Sequence, residues 1–331
     1  MLREFLPGEF RLNTTYFSPV QEGIQKVENL MRSQADNQHP DLRAALDLLI
    51  SSGGKRVRPT ITLLAGKMLG APETELITLA AAIEMLHTAT LVHDDLIDGS
   101  LLRRGIPTLN SRWTPAATVL TGDFMFARAA RLVADTGSIE LMKVFANTLS
   151  TIVNGEITQL FTNRCQVDRE GYFDRIYAKT ASLFETSAST AAILSGVSRD
   201  EIEYMRRYGH SVGMAFQIID DILDFTGDEA SVGKPTGSDL LQGIITLPTI
   251  LYIETYPVDP DGISLINGDC LDDNQAIRLA KAIRNSQAIH LAYEEAQRYV
   301  QKALQYLSGF SDTPERRALE DIAAYIVQRS L

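Results

Sequence analysis

The chain has 331 residues, 45% of them hydrophobic, enough for a sizeable core. Its 42 acidic and 31 basic residues leave a net charge of −11, which argues against nucleic acid as the main partner. Cys165 and Cys270 make no disulfide framework and have no metal-type spacing, and the N-terminal residues lack the apolar core of a signal peptide. No stretch of about eighteen residues escapes charge or breakers, so no membrane span is expected and a reducing cytoplasm is the simplest setting.

Helical periodicity dominates from the first elements onward, and alternating strand patterns are nearly absent. Helices are expected over about 18–33, 40–51 and 56–70. Pro72 suits a first helical position, with Glu73 and Glu75 in the favoured first turn. From Leu76 to Val92 the chain is apolar on all sides apart from Glu84, His87 and a few threonines, the mark of a buried helix. Run on to Asp98, that helix is roughly 40 Å long. Further helices are expected over about 115–134, 137–162 and 171–195. Ser198-Arg-Asp-Glu201 is a capping box opening a long helix that carries Asp220 to Asp224 and ends at Gly227 and the loop Gly233–Gly237. A helix over 239–256, a Pro/Gly/Asp-rich connection from Tyr256 to Asn274, an amphipathic helix from Gln275 to Leu307 and a last helix capped by Thr313 with Pro314 at N1 complete the chain. The expected fold is all-α, one helical bundle over residues 1–331 with a central cavity.

The long helices end in the same acidic pattern, Asp94-Asp95-Leu96-Ile97-Asp98 and Asp220-Asp221-Ile222-Leu223-Asp224. Residues i and i+4 share a helix face, so Asp94 stacks on Asp98 and Asp220 on Asp224. Like charges at the negative end of a helix dipole repel, and burying one uncompensated costs several kcal/mol. Something positive must stand between the clusters. Oxygen-only donors suit hard divalent cations, and Mg²⁺ takes one or two protein carboxylates and completes its shell with water and phosphate. The pattern points to a magnesium-bridged phosphate ester.

Basic residues accompany the acidic ones. Gly53-Gly54-Lys55-Arg56-Val57-Arg58-Pro59 offers three cations in a glycine-led turn, and Arg103 and Arg104 follow Asp98 closely. Arginine's planar fork matches phosphate oxygens, although each cluster alone reads more readily as a solvated turn. Gln217 shares a face with Asp220 and Asp221, and His87 lies two turns before Asp94. Lys179 beside Thr180 alone reads as a snorkelling lysine, and His87 alone as a satisfied core group.

The two DDxxD motifs, GGKRVRP, LHTATLVHDD, LLRRG, GDFMFARA, KTASLF, FQIIDDILD and GKPTGSDL resemble the trans-isoprenyl diphosphate synthases in order and spacing, from about Leu42 to Ile250. The resemblance implies head-to-tail prenyl transfer. An allylic diphosphate ionises, isopentenyl diphosphate attacks the cation, and a proton is lost. It implies Mg²⁺ on Asp94, Asp95 and Asp98 from one side and on Asp220, Asp221 and Asp224 from the other, with Asp94, Asp98, Lys179, Gln217 and Asp220 carrying the catalysis. Arg103, Lys179, Thr180, Gln217 and Lys234 would hold the allylic diphosphate. Lys55, Arg58, His87 and Arg104 would hold isopentenyl diphosphate, with Gly54 shaping the turn. Phe216 is placed either to face the developing cation or to serve as a core aromatic. One departure stands out: Ile244 occupies a position where the family commonly carries a phosphate-binding lysine.

The resemblance also places the prenyl tail along the helix before Asp94. Short-chain relatives block that route with aromatics at the positions of Ala89 and Thr90, which are small here, while Leu86, Met85 and Ile83 lie deeper. A product of six or more isoprene units is expected, of the kind that quinone side chains require. The alternatives are a short-chain farnesyl or geranylgeranyl synthase, or a non-catalytic subunit of a heteromeric synthase. A homodimer is implied, with at most peripheral membrane contact for product release.

Overall fold

The run from Leu76 to Val92 becomes the axis of the molecule. The computed structural model describes residues 14–52, 54–103, 105–161, 164–227 and 236–328. Arg104, Lys234, Gly53 and most of the loop expected after Gly227 lie outside those residues. A 3₁₀ stretch (Thr14–Val20) leads into α1 (Gln21–Ser33), α2 (Pro40–Ser51), α3 (Val57–Leu69) and α4 (Glu73–Ile97). A minimal antiparallel ribbon follows, β1 (Leu102–Arg103) against β2 (Ile106–Pro107), with Arg103 opposite Ile106. Next come α5 (Pro115–Asp135), α6 (Ile139–Phe161), α7 (Arg169–Ile176), a π-type turn (Tyr177–Ala181), α8 (Ser182–Leu194) and α9 (Arg199–Thr226). The C-terminal part holds α10 (Ser238–Leu241), α11 (Leu247–Thr255), α12 (Pro260–Ile266), α13 (Asp273–Arg284), α14 (Ala288–Leu307) and α15 (Pro314–Gln328).

By length and composition α4 could cross a membrane, but 67% of its most apolar window is buried inside the bundle. It packs against α5, α3, α1 and α8. Leu79 is 1% exposed, and truncating such a side chain to alanine typically costs about 2–5 kcal/mol. The second long helix, α9, opens with the expected capping box: the Glu201 amide donates to Ser198 Oγ at 3.3 Å and the Ser198 amide to Glu201 Oε2 at 2.9 Å. Gly209 and Gly213 let α9 approach α8 closely, since a Cβ would come within 2.4 Å of the Phe184 carbonyl oxygen and 2.5 Å of the Ala181 Cα. That contact fixes the height of Asp220 relative to Lys179 and Thr180.

Several expected boundaries shift. Pro72 is the N-cap of α4 rather than its first helical residue, because its ψ of 130° is extended. The helix expected over 171–195 is interrupted by the π-type turn, in which the Ser182 amide reaches back to the Tyr177 carbonyl. Gly243, with φ +75°, divides 239–256 into α10 and α11. The connection from Tyr256 to Asn274 contains α12, nucleated where Asp259 accepts from the amides of Asp261 and Gly262 at 3.0 Å each. The span 275–307 breaks at Asn285–Gln287 into α13 and α14. Cys165 and Cys270 are bonded, S–S 2.07 Å, which corrects the reading of two cysteines outside any disulfide. Their Cα atoms are 5.3 Å apart across 105 residues of sequence, so only the folded chain reveals the pairing.

Candidate active site

The first acidic motif closes α4. The Asp98 amide donates to the Asp94 carbonyl at 2.8 Å as the helix's last bond. Asp95 is buried, and the ribbon folds Arg103 back onto it, Nε lying 2.9 and 3.1 Å from its two carboxylate oxygens. Burial pushes the Asp94 carboxyl up to about 6; Lys179 opposes the shift and Glu156 and Asp98 add to it. Lys179 sits on the π-type turn and bonds Glu156 of α6 at 2.9 Å, so it is paired rather than snorkelling. Burial works against its charge, yet Glu156 and Asp94 hold its pKa above the ordinary value.

The second motif is held by neutral donors. Tyr172 Oη donates to Asp221 Oδ2 at 2.6 Å and Gln217 Nε2 to Oδ1 at 2.8 Å. Thr180 Oγ1 donates in turn to Gln217 Oε1 at 2.7 Å, joining the π-type turn to α9. Burial drives the Asp221 carboxyl up to about 7, against both hydrogen bonds and with Asp239 and Asp220 adding to the shift. Asp224 accepts from Ser238 Oγ at 2.6 Å and from the Asp239 amide at 3.2 Å, which ties α10 to the end of α9.

Both motifs border one cavity of about 540 Å³. Lys55, Arg58, His87, Asp95, Arg103 and Asp220 line it, with Gly54 at its rim and Phe184 and Phe216 on its wall. Arg58 is the most constrained of these. Its Nη1 donates to His87 Nε2 at 3.1 Å, and its guanidinium stacks 4.5 Å above the Phe184 ring. Its Nε is buried with no hydrogen-bond partner. Burial pulls its pKa down to about 10 against the fields of Glu84 and Asp220. Because guanidinium only donates, His87 must accept through a neutral ring. Lys55 bonds Tyr325 of α15 at 3.1 Å and lies 5.1 Å from that ring's centre. Arg56 takes φ +46°, ψ +33°, a left-handed conformation costing roughly 1–2 kcal/mol for a residue with a Cβ.

Phe216 lines the cavity, and its ring lies 5.3 Å from that of Phe184. Asp94 lies on α4 and Lys179 and Thr180 on the π-type turn; none of the three lines the cavity, and Thr180 is tied to α9 by its bond to Gln217. The chain-length candidates lie on other faces of α4: Ala89, Leu86 and Met85 are fully buried, and Thr90 Oγ1 bonds the His87 carbonyl at 2.8 Å. Four residues were not singled out for a site role by the sequence: Tyr172, Glu156, Phe184 and Glu84. Glu84, the one acidic residue in the apolar run from Leu76 to Val92, is the signal that could have found one of them.

Residues 39–284 match the family model described as Polyprenyl synthetase. The chain belongs to this family. It is 36% identical over 315 residues to heptaprenyl diphosphate synthase component 2 of Geobacillus stearothermophilus, covering 95% of this chain and 98% of that protein. It is 37% identical over 285 residues to octaprenyl diphosphate synthase of Escherichia coli, covering 85% and 88%. Among solved structures it superposes on the polyprenyl synthase of Caulobacter crescentus, complexed with calcium and isoprenyl diphosphate, with a TM-score of 0.87, 33% identity and coverage of 96% and 97%. The synthase is an enzyme of the long-chain trans-prenyltransferase type, and its family generally uses a divalent metal.

The residues present suit a divalent cation shared with a diphosphate. The donors are all carboxylate oxygens. Among the described residues no three His, Cys, Asp or Glu side chains converge closely enough to hold an ion by themselves. Asp94, Asp98 and Asp220 would hold such an ion, which would neutralise the charge of a bound diphosphate.

Proposed function

We propose that the synthase extends an allylic diphosphate with isopentenyl diphosphate, using Mg²⁺ held by Asp94, Asp98 and Asp220, to give a hexaprenyl or longer diphosphate. Bound Mg²⁺ neutralises the leaving diphosphate. Arg103, Lys179, Thr180 and Gln217 orient that group, joined by Lys234. Asp95, Asp221 and Asp224 complete the metal-side carboxylates and are themselves held in place by Arg103, Tyr172 and Ser238. Lys55, Arg58, His87 and Arg104 receive isopentenyl diphosphate at the turn shaped by Gly54, and Phe216 faces the cation.

Arg58 carries this reading. A buried guanidinium with an orphaned Nε, stacked on an aromatic and beside two acidic motifs, is built for an anion. Purified chain with Mg²⁺, farnesyl diphosphate and labelled isopentenyl diphosphate is expected to give products of six or more units after dephosphorylation. Absence of any elongation, or products ending at four units, would defeat it. Ala89→Phe is expected to shorten the products.

Ile244 and the relative named as a component support one alternative, a chain that needs a second kind of subunit. The same assay without added partner separates the two. A homodimer is proposed on the exposed apolar side chains Val119 and Leu120 of α5 and Ile139, Ile157, Leu160 and Phe161 of α6, the last 86% exposed. Light scattering on Phe161→Asp should report a monomer. The proposed setting is the cytoplasm, and alkylation of freshly lysed cells will show whether Cys165 and Cys270 are bonded there.

A further inference from the structure

The turn from Gly54 to Arg58 holds three cations, and the roles proposed above use only Lys55 and Arg58. Arg56 lies between them. Although it borders the cavity, its guanidinium is spent on the protein: Nε donates to Glu28 Oε1 at 2.9 Å, Nη1 to Glu84 Oε1 at 2.8 Å and Nη2 to the Ile50 carbonyl at 2.6 Å. Its side chain is only 9% exposed. Those acceptors belong to α1, α4 and α2, so one side chain ties three helices together beneath the turn. Glu84 is buried and stands one helical turn before His87, and it also acts electrostatically on Arg58.

The backbone of Arg56 supports the same role. It is one of the few non-glycine residues with positive φ among the described residues, and its carbonyl starts α3 by accepting the Thr60 amide at 3.0 Å and the Thr60 hydroxyl at 2.7 Å. Glycine adopts that conformation more readily. An arginine there is explained by its side chain rather than by its backbone. Lysine could not replace it, because a point charge cannot span three acceptors set in a plane.

We infer that Arg56 is the positioning residue of the isopentenyl diphosphate subsite: the Glu28–Arg56–Glu84 clamp fixes the left-handed turn so that Lys55, Arg58 and His87 meet a single diphosphate. This rests on the assignment of those three residues to isopentenyl diphosphate. Arg56 touches no substrate. It acts through the placement of its neighbours, and so selectively on one of the two substrates.

The test is steady-state kinetics of Arg56→Lys, Arg56→Gly and Glu84→Gln with Mg²⁺, farnesyl diphosphate and isopentenyl diphosphate, alongside thermal melts. Arg56→Gly keeps the backbone conformation and loses the clamp. KM for isopentenyl diphosphate is expected to rise tenfold or more in both Arg56 variants and less in Glu84→Gln. KM for farnesyl diphosphate, and its slow hydrolysis without the second substrate, should stay within twofold. A wild-type KM in Arg56→Gly would overturn the inference. So would a parallel loss of both KM values, kcat and melting temperature, which marks a purely structural residue. Arg58→Gln separates the two levels: if it leaves the isopentenyl KM unchanged, the subsite assignment itself fails. Should the Arg56 variants not fold, Glu28→Gln decides by the ratio of the two KM values. A ratio shifted at least threefold towards weaker isopentenyl binding supports the clamp, and an unchanged ratio overturns it.

Discussion

The ends of α4 and α9 carry the same five-residue acidic pattern, but the fold treats them differently. At α4 the inward carboxylate, Asp95, is answered by the charged Arg103. At α9 its counterpart, Asp221, is answered by Tyr172 and Gln217, which bring hydrogen bonds and no charge. A cation neutralises a carboxylate outright, whereas neutral donors hold it in place and leave it costly to ionise. The second motif therefore depends more on the arriving ion to stabilise its charge. Symmetry of sequence does not imply symmetry of surroundings: the buried carboxylate of one motif has a charged partner and that of the other has only neutral ones.

The outward aspartates test that contrast most severely. Asp94→Ala and Asp220→Ala should each lower kcat at least about a hundredfold, as expected when a charge-stabilising group is removed from a transition state. Equal losses with equal Mg²⁺ dependence would erase the distinction between the two ends. The supporting residues sharpen it. Tyr172→Phe removes one donor from Asp221 and should weaken Mg²⁺ affinity roughly 10–100-fold, read from the metal dependence of rate, because groups that orient a ligand commonly have effects of this size. Arg103→Gln should instead raise KM for the allylic diphosphate about tenfold with a smaller change in metal dependence, since its partly exposed guanidinium is screened by solvent. A Tyr172→Phe phenotype confined to substrate KM would break the comparison.

Much of this was legible in the sequence, and what was not has physical causes. The all-helical fold, the capping box of α9 and the helix that carries Asp94 followed from periodicity and caps, which act over a few residues. The pairing of Cys165 with Cys270 and the bond from Tyr172 to Asp221 join segments far apart in the chain, and no local pattern encodes them. The π-type turn at Lys179 was hidden because its residues are ordinary helix formers, and only the packing of α8 against α9 reveals it. The acidic motifs themselves were plain, but their division into inward and outward members was not. Which aspartate faces Arg103 depends on the ribbon after α4, a two-residue element too short to announce itself. Arg56 was visible as one of three cations in a turn, yet nothing in the string separates the one that binds helices from the two that face the cavity.

The smallest effect concerns pH. Without metal, burial holds the Asp94 carboxyl at about 6 against an ordinary 3.8, and that of Asp221 at about 7. Both folded values lie above the unfolded one, so the contribution of these groups to stability is fully present below about pH 4 and is lost as pH rises through 6 and then 7. Mg²⁺ with a diphosphate binds the charged forms and works in the opposite sense. The gap in melting temperature between protein with Mg²⁺ and inorganic diphosphate and protein with EDTA should therefore widen from pH 5 to pH 8. Saturation at a hundred times Kd adds about 2.7 kcal/mol, and for a chain of 331 residues each kcal/mol is worth roughly 1–2 °C. Asp94→Asn should flatten the lower part of that rise, near pH 6, and leave the part near pH 7 that belongs to Asp221. A gap that does not change with pH would mean that neither carboxylate gives up a proton when the ion binds. The inward pressure of burial on the two motifs would then have no part in holding metal.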